Sequence, residues 1–345
     1  MPKTARNLWS QIVTFENLHS AFKCASKSRR FRSDVLAFRG RLEENLLDIQ
    51  QALNNGTWKP GPIYAFTICD PKVRTIEAPP FCDRVVHHAI VSQIEPAFER
   101  RFIPQSFACR SQKGTHAAST CLMQMLQETT NKWGGVYVLK ADIASYFPSI
   151  NHDILLSIVS RIIGDKRLLA VLERIVTANG QEKGIPLGSL TSQLFANAYL
   201  DVLDHYVKEE LGIRYYIRYM DDFIILHHSK KELWQTLAKI REFLSSKLKL
   251  TLNRKTKVFP LCQGVDFVGY RHWTGFRLPR KRNVRSAKKR FAFLSKAYSR
   301  GDVDIDTVRC TVASFIGYMK HCSGSRSCES ALSRLVLRPP TANEE

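Results

Sequence analysis

The sequence predicts an α+β fold centred on a split βαβ, ferredoxin-like sheet, and three observations predict it. Residues 136–143 alternate with a period of two, an apolar stripe at helical spacing starts at Leu190, and two short apolar runs flank Asp221-Asp222. In order along the chain, residues 1–60 read as a helical extension, ending in Asn54-Asn55-Gly56 and the turn-forming Lys59-Pro60-Gly61-Pro62. The first strand puts Val136, Val138, Lys140 and Asp142 on one face. Positions 190, 194, 195, 198, 199, 202, 203, 206 and 207 then make one face of a long amphipathic helix, closed by Gly212. Runs 213–219 and 223–226 form a hairpin with the acids at its tip. Ser229 and Glu232 make a capping box ahead of Leu233, Leu237, Ile240, Leu244 and Leu248, and a fourth strand is expected over 250–259.

That topology predicts a site. A right-handed crossover makes the first two strands parallel, so the end of the first strand and the hairpin tip share one sheet edge. Asp142 is thereby brought to Asp221 and Asp222. Three carboxylates so placed repel and take up protons unless a cation compensates them. All-oxygen ligands suit Mg²⁺, and two such ions roughly 3.5–4 Å apart serve in-line displacement at phosphorus, so the chemistry expected is nucleotidyl transfer.

Composition points to the partner. The 345 residues include 52 Lys+Arg against 31 Asp+Glu, a net charge of +21, and 44% hydrophobic residues, which excludes a disordered chain. Residues 271–300 hold eleven Lys/Arg and no acid, a self-repelling run that fits a polyanion. Among the nine cysteines there is no C-x-x-C pair, so they are expected to be reduced, mostly core residues of a cytoplasmic protein. No apolar run approaches the ~18 residues of a membrane span.

Tyr219-Met220-Asp221-Asp222 resembles the Y-x-D-D motif of reverse transcriptases, and Ala141-Asp142-Ile143-Ala144-Ser145-Tyr146-Phe147 resembles their first catalytic motif. The resemblance runs from about residue 60 to 332. Lys72-Val73-Arg74 through Asp83-Arg84 resembles the fingers motif, Ser106 through Arg110 with Lys113-Gly114 the next, and Phe267-Val268-Gly269-Tyr270 the primer grip. Group II intron and retroviral enzymes have Q-G-x-x-x-S-P where this chain has Leu187-Gly188 and Ser192-Gln193. That form, like Ala313 through Ser323, is similar to reverse transcriptases of diversity-generating retroelements.

The resemblance implies a right-hand polymerase: fingers over 61–135 with part of 150–185, palm over 136–270, a basic helical thumb over 271–338 and a tail over 339–345. It implies an RNA-directed DNA polymerase with two Mg²⁺, held by Asp142, Asp221, Asp222 and the carbonyl of Ile143, using deoxynucleoside triphosphates. Lys72 and Arg74 would take the triphosphate, and Phe147 would exclude a ribose hydroxyl. Leu187, Gly188, Ser192 and Gln193 would line the nucleotide pocket, and Lys255 or Lys257 would protonate pyrophosphate. Phe267, Gly269 and Tyr270 would grip the primer. Arg277, Arg280, Lys281, Arg282, Arg285, Lys288 and Lys289 would hold an RNA/DNA hybrid by its backbone, while Phe291, Phe293 and Tyr298 are read as thumb core. The subgroup implies adenine-directed mutagenic copying of a template-repeat RNA, with a small basic helical accessory protein as partner. A group II intron-like or defence-associated reverse transcriptase is the alternative within the class, and a catalytically inactive RNA-binding scaffold the alternative outside it.

Overall fold

The computed structural model describes residues 4–69 and 73–338, so the tail expected over 339–345 lies outside the described residues. It divides into two compact units, one of Met1–Arg110, Ala141–Phe223 and Gln235–Thr256, the other of Ser111–Lys140, Ile224–Trp234 and Lys257–Glu345.

In the first unit, helices α1 (Trp9–Ile12), α2 (Phe15–Ser26), α3 (Ser33–Gly40) and α4 (Leu42–Asn54) precede a two-stranded antiparallel hairpin, β1 (Tyr64–Ile68) and β2 (Arg74–Ala78). The long helix α5 (Phe81–Glu99) follows, with Val85, Val86, Ala89, Ile90 and Ile94 fully buried. Helix α6 (Thr115–Trp133), which belongs to the second unit, precedes in the chain β3 (Tyr137–Asp142), the single turn α7 (Tyr146–Ser149), and helices α8 (His152–Ile162) and α9 (Lys166–Val176). Helix α10 (Leu190–His205) continues into a π-helical turn, Tyr206–Glu210, in which Leu211 N–H reaches the Tyr206 carbonyl at 2.9 Å. Strands β4 (Tyr216–Tyr219) and β5 (Asp222–His227), helix α11 (Lys230–Lys247) and β6 (Lys257–Pro260) complete the pattern. The central sheet has the order β4-β5-β3-β6, as a split βαβ unit requires.

Several expectations need correction. The apolar stripe on α10 understates its burial: Thr191, Ser192, Ala196, Asn197, Leu200, Asp201 and Asp204 are buried too, because the helix is enclosed on more than one side, packing on both α5 and α8. The second strand starts at 216 and not 213, since Ile213 N–H is taken by the Val207 carbonyl at the helix end. The fourth strand is only Lys257–Pro260, paired antiparallel with β3. Ahead of it Leu252 makes an isolated bridge with Ile143, and Asn253 folds the chain into a turn by accepting Lys255 N–H on its side chain. The cysteines are free thiols and none is buried; Cys24, for example, falls beside the Ala21, Phe22 and Ala25 stripe of α2 and not on it. The capping box forms as read, with Ser229 Oγ accepting Glu232 N–H at 3.3 Å, and the five apolar positions from Leu233 to Leu248 are all buried.

In the second unit, β7 (Val265–Phe267), β8 (Tyr270–Trp273) and β9 (Phe276–Pro279) form an antiparallel meander ahead of helices α12 (Lys281–Ser299), α13 (Ile305–Met319) and α14 (Ser325–Leu332). Phe291, Leu294, Val308 and Ala331 make the core of that helical end, with Tyr298 packed against it. Phe293 does not join them. It is 59% exposed, because two residues from Phe291 is a turn of about 200° around a helix. Among the described residues no helix is long and apolar enough to cross a membrane.

Candidate active site

Asp142 ends β3, Asp222 begins β5, and Asp221 lies in the two-residue turn between β4 and β5. Ile143 N–H donates to the Asp221 carbonyl at 3.2 Å, which ties the end of β3 to the hairpin tip. The expected meeting of the acids is therefore present. Asn253 holds Asp142 twice, donating its backbone N–H to the Asp142 carbonyl at 2.7 Å and its side-chain amide to Oδ2 at 3.3 Å. The Asp221 carboxyl is pushed up to about 7, first by burial and then by the charge of Asp142, with a hydrogen bond to Asp142 and the charge of Asp222 adding to it. A group so placed favours a proton until a cation arrives. The donor set is carboxylate oxygen, which fits a hard divalent ion of the Mg²⁺ class.

Phe147 is half-buried on α7 beside the buried Tyr146, their rings 5.7 Å apart. Its carbonyl accepts Ile185 N–H at 3.1 Å, so α7 is anchored to the segment that leads into Leu187-Gly188. The Leu187 carbonyl accepts Glu77 N–H from β2 at 3.0 Å. Gly188 has φ +133°, and a Cβ there would stand 3.0 Å from Ile76 Cγ2 and 3.3 Å from the Glu77 carbonyl oxygen, so only glycine fits this close approach. Ser192 is buried on the first turn of α10 and Gln193 half-buried. Arg74 is exposed at the start of β2, while Lys72 lies outside the described residues. Lys255 is in the turn that Asn253 organises, two positions after the residue that binds Asp142. Lys257 instead stacks its ammonium on Phe259, 4.8 Å from the ring centre.

In the second unit Phe267 and Tyr270 are buried around the turn at Val268 and Gly269. Tyr270 stacks on Tyr318 with centroids 4.8 Å apart, and the two are bonded reciprocally: Tyr270 OH donates to the Tyr318 carbonyl at 3.0 Å and Tyr318 OH to the Gly269 carbonyl at 2.6 Å. The predicted cations divide into two sets. Arg277 is engaged internally with the His321 carbonyl and Ser119 Oγ, Arg280 pairs with Asp266, and Lys288 donates to Ser330 Oγ at 2.6 Å. Lys281, Arg282, Arg285 and Lys289 are exposed on α12, at helical spacing opposite the buried Phe291, Leu294 and Ala297.

Sequence reasoning missed Asn253 and a buried cation behind the hairpin, Arg218, with its partner Asp204. The Asn253 signal was present, since an asparagine inside an expected strand marks a turn. His227, His228 and Glu232 also cluster, but His227 Nδ1 already accepts Ser229 N–H at 3.1 Å and its Nε2 lies 3.2 Å from Glu232, so hydrogen bonds account for their arrangement.

Comparison with known proteins points the same way. A family model described as "Reverse transcriptase (RNA-dependent DNA polymerase)" matches residues 59–272. Protein YkfC of Escherichia coli K12 is 27% identical over 277 residues, covering 67% of this chain and 72% of its own length. The group II intron-encoded protein LtrA of Lactococcus lactis is 26% identical over 263 residues, which is 72% of this chain and 42% of LtrA. Telomerase of Candida albicans, solved with a fragment of telomeric RNA, superposes with a TM-score of 0.50 at 10% identity over 80% of this chain and 59% of that one. The structural likeness is one of fold, that of a right-hand polymerase.

Proposed function

The chain belongs to the reverse transcriptase (RNA-dependent DNA polymerase) family, and on that premise we propose that it is an active RNA-directed DNA polymerase working through Asp142, Asp221 and Asp222. The observation that carries this reading is the half-buried Asp221 beside Asp142, its carboxyl raised by desolvation and by that neighbour's charge and tied to the end of β3 by the Ile143–Asp221 bond. When bound, two Mg²⁺ ions would activate a primer hydroxyl and stabilise the departing phosphate oxygen. The three carboxylates, with the Ile143 carbonyl, are the groups that would hold them. Asn253 fixes the orientation of Asp142. Phe147 would limit the sugar, Lys72 and Arg74 would take the triphosphate, and Lys255 on the Asn253 turn is preferred over Lys257 as proton donor. The primer grip at Phe267, Gly269 and Tyr270 and the exposed cations of α12 bind the RNA/DNA hybrid through charge and shape. An RNA template is supported by relatives named for group II introns and by a telomerase solved with RNA.

Within the family we assign the chain to the diversity-generating subgroup, on Leu187-Gly188 with Ser192-Gln193 and on the stretch from Ala313 to Ser323. That reading carries error-prone copying at template adenines, a small basic accessory protein as partner and a cytoplasmic setting. Primer extension on an RNA template with Mg²⁺ and deoxynucleoside triphosphates tests the polymerase. The wild type extends the primer and Asp221→Asn does not, while both bind hybrid equally. An extending Asp221→Asn, or a wild type that binds hybrid and never extends, would contradict it. Errors concentrated at template adenine support the subgroup; errors spread evenly over the four bases refute it.

A further inference from the structure

The hairpin tip that presents the acids is expensive to build. Met220, the first residue of the two-residue turn, sits at φ +55°, a left-handed conformation that is strained for a residue other than glycine. Something must hold it there. Directly behind it lies Arg218, the largest fully buried side chain among the described residues, with 0% exposure.

Its donors are almost all accounted for. Nε donates to Asp204 Oδ1 at 2.7 Å and Nη2 to Asp204 Oδ2, a bidentate pair in which both side chains are wholly buried. Nη1 donates to the Met220 carbonyl at 3.0 Å and to Asn197 Oδ1 at 3.3 Å. Each partner is itself fixed. Tyr216 OH donates to Asp204 Oδ1 at 2.6 Å, and Asn197 donates its amide to the Ala108 carbonyl at 2.7 Å. The Arg218 backbone is held on both sides by Gln105 and Phe107 at 3.0 and 3.1 Å.

A buried ion pair is weak evidence for stability, because well-packed apolar residues in its place are commonly as stable or more so. What an apolar pair could not do is bond the Met220 carbonyl while being fastened to α10. Lysine could not do it either, since its three donors radiate from one point and cannot span a carboxylate and a carbonyl in one plane.

We infer that Arg218 is a positioning residue: clamped by Asp204 and Asn197 on α10, it fixes the left-handed turn at Met220 and thereby the placement of the Asp221 and Asp222 carboxylates. This rests on the polymerase reading given above only in assigning those acids their chemistry; the placement itself is a property of the hairpin.

Two variants test it, Arg218→Lys and the apolar pair Arg218→Met with Asp204→Leu. Three quantities are read: melting temperature, Mn²⁺ affinity of the free protein by electron paramagnetic resonance, and the single-turnover rate of nucleotide addition from preformed enzyme–hybrid complex. The last reports on the folded, bound fraction alone. Arg218→Lys is expected to lose about tenfold to a hundredfold in the addition rate and to bind Mn²⁺ more weakly, as a small misplacement of reacting groups commonly costs. The apolar pair leaves the buried Tyr216 hydroxyl without its acceptor and is expected to melt somewhat lower than wild type while still folding, and to show both losses. Either variant matching wild type in rate and Mn²⁺ affinity would overturn the inference and leave the polymerase intact. A wild type that binds Mn²⁺ yet adds no nucleotide would overturn the polymerase reading, and loss of Mn²⁺ affinity in Arg218→Lys would then uphold the inference by itself.

Discussion

The hairpin turn at 219–222 and helix α12 are the two charged regions on which the proposed function depends, and they handle charge in opposite ways. In the turn, acids are crowded, half-buried and backed by a buried guanidinium with a defined partner for nearly every donor. On α12, Lys281, Arg282, Arg285 and Lys289 stand exposed in one stripe while Phe291, Leu294 and Ala297 hold the opposite face to its core. Buried charge demands fixed geometry, because each misplaced group is left with an uncompensated desolvation cost. Displayed charge demands only a sum. Chemistry needs the first arrangement and backbone binding the second.

Removing one phenylalanine from each region should break the symmetry most visibly. Phe223, fully buried in β5, is expected to cost about 3–5 kcal/mol on truncation to alanine, whereas Phe293, 59% exposed on α12, should cost within ~0.5 kcal/mol. Denaturant unfolding of the two variants reads the difference directly.

A second contrast concerns pH. His87 and His272 are buried and held down to about 4, chiefly by desolvation, against an ordinary value near 6.5. The unfolded chain therefore binds more protons than the folded one between those values. Stability is fully present above about pH 6.5 and falls as pH drops toward 4, by up to ~1.4 kcal/mol per pH unit for each imidazole. Unfolding free energies measured from pH 7 to 4.5 check this, and replacing His87 with Gln should remove its share of the slope.

The smallest effect is one of fidelity. Leu187 can neither donate nor accept from its side chain, so Leu187→Gln restores a hydrogen-bonding group where the main chain is already fixed through Glu77. One such bond is worth about 0.5–1.5 kcal/mol, hence roughly two- to tenfold less misincorporation opposite template adenine. Sequencing the cDNA from both enzymes measures it.

The regions also differ in how far their sequences disclosed them. Asp142, Asp221 and Asp222 were legible because strand alternation and the hairpin pattern are local signals, and the crossover rule carries them to one edge. The support behind them was not. Arg218 bonds Asp204 and Asn197 on the preceding helix, 14 and 21 positions back, and Asp142 meets Asn253 across 111 positions, pairings that no strand or helix periodicity marks. On α12 the basic run announced itself, yet which cations are free to bind a polyanion depends on Asp266, Ser119 and Ser330, residues far from them in the chain. Phe293 was misplaced for a simpler reason: an aromatic residue reads as core by type, and only its angle on the helix corrects that.

Measuring nucleotide addition and hybrid affinity side by side on Asp142→Asn tests most directly whether chemistry resides in the clustered acids and grip in the displayed cations. The variant should lose addition while its hybrid affinity and salt dependence match wild type. By contrast, Lys281→Gln, Arg282→Gln, Arg285→Gln and Lys289→Gln together should flatten the salt slope by up to ~3.6, about 0.9 for each phosphate that a cation no longer neutralises. An Asp142→Asn protein that still extends primers, or one whose hybrid binding collapses along with its chemistry, would contradict the separation.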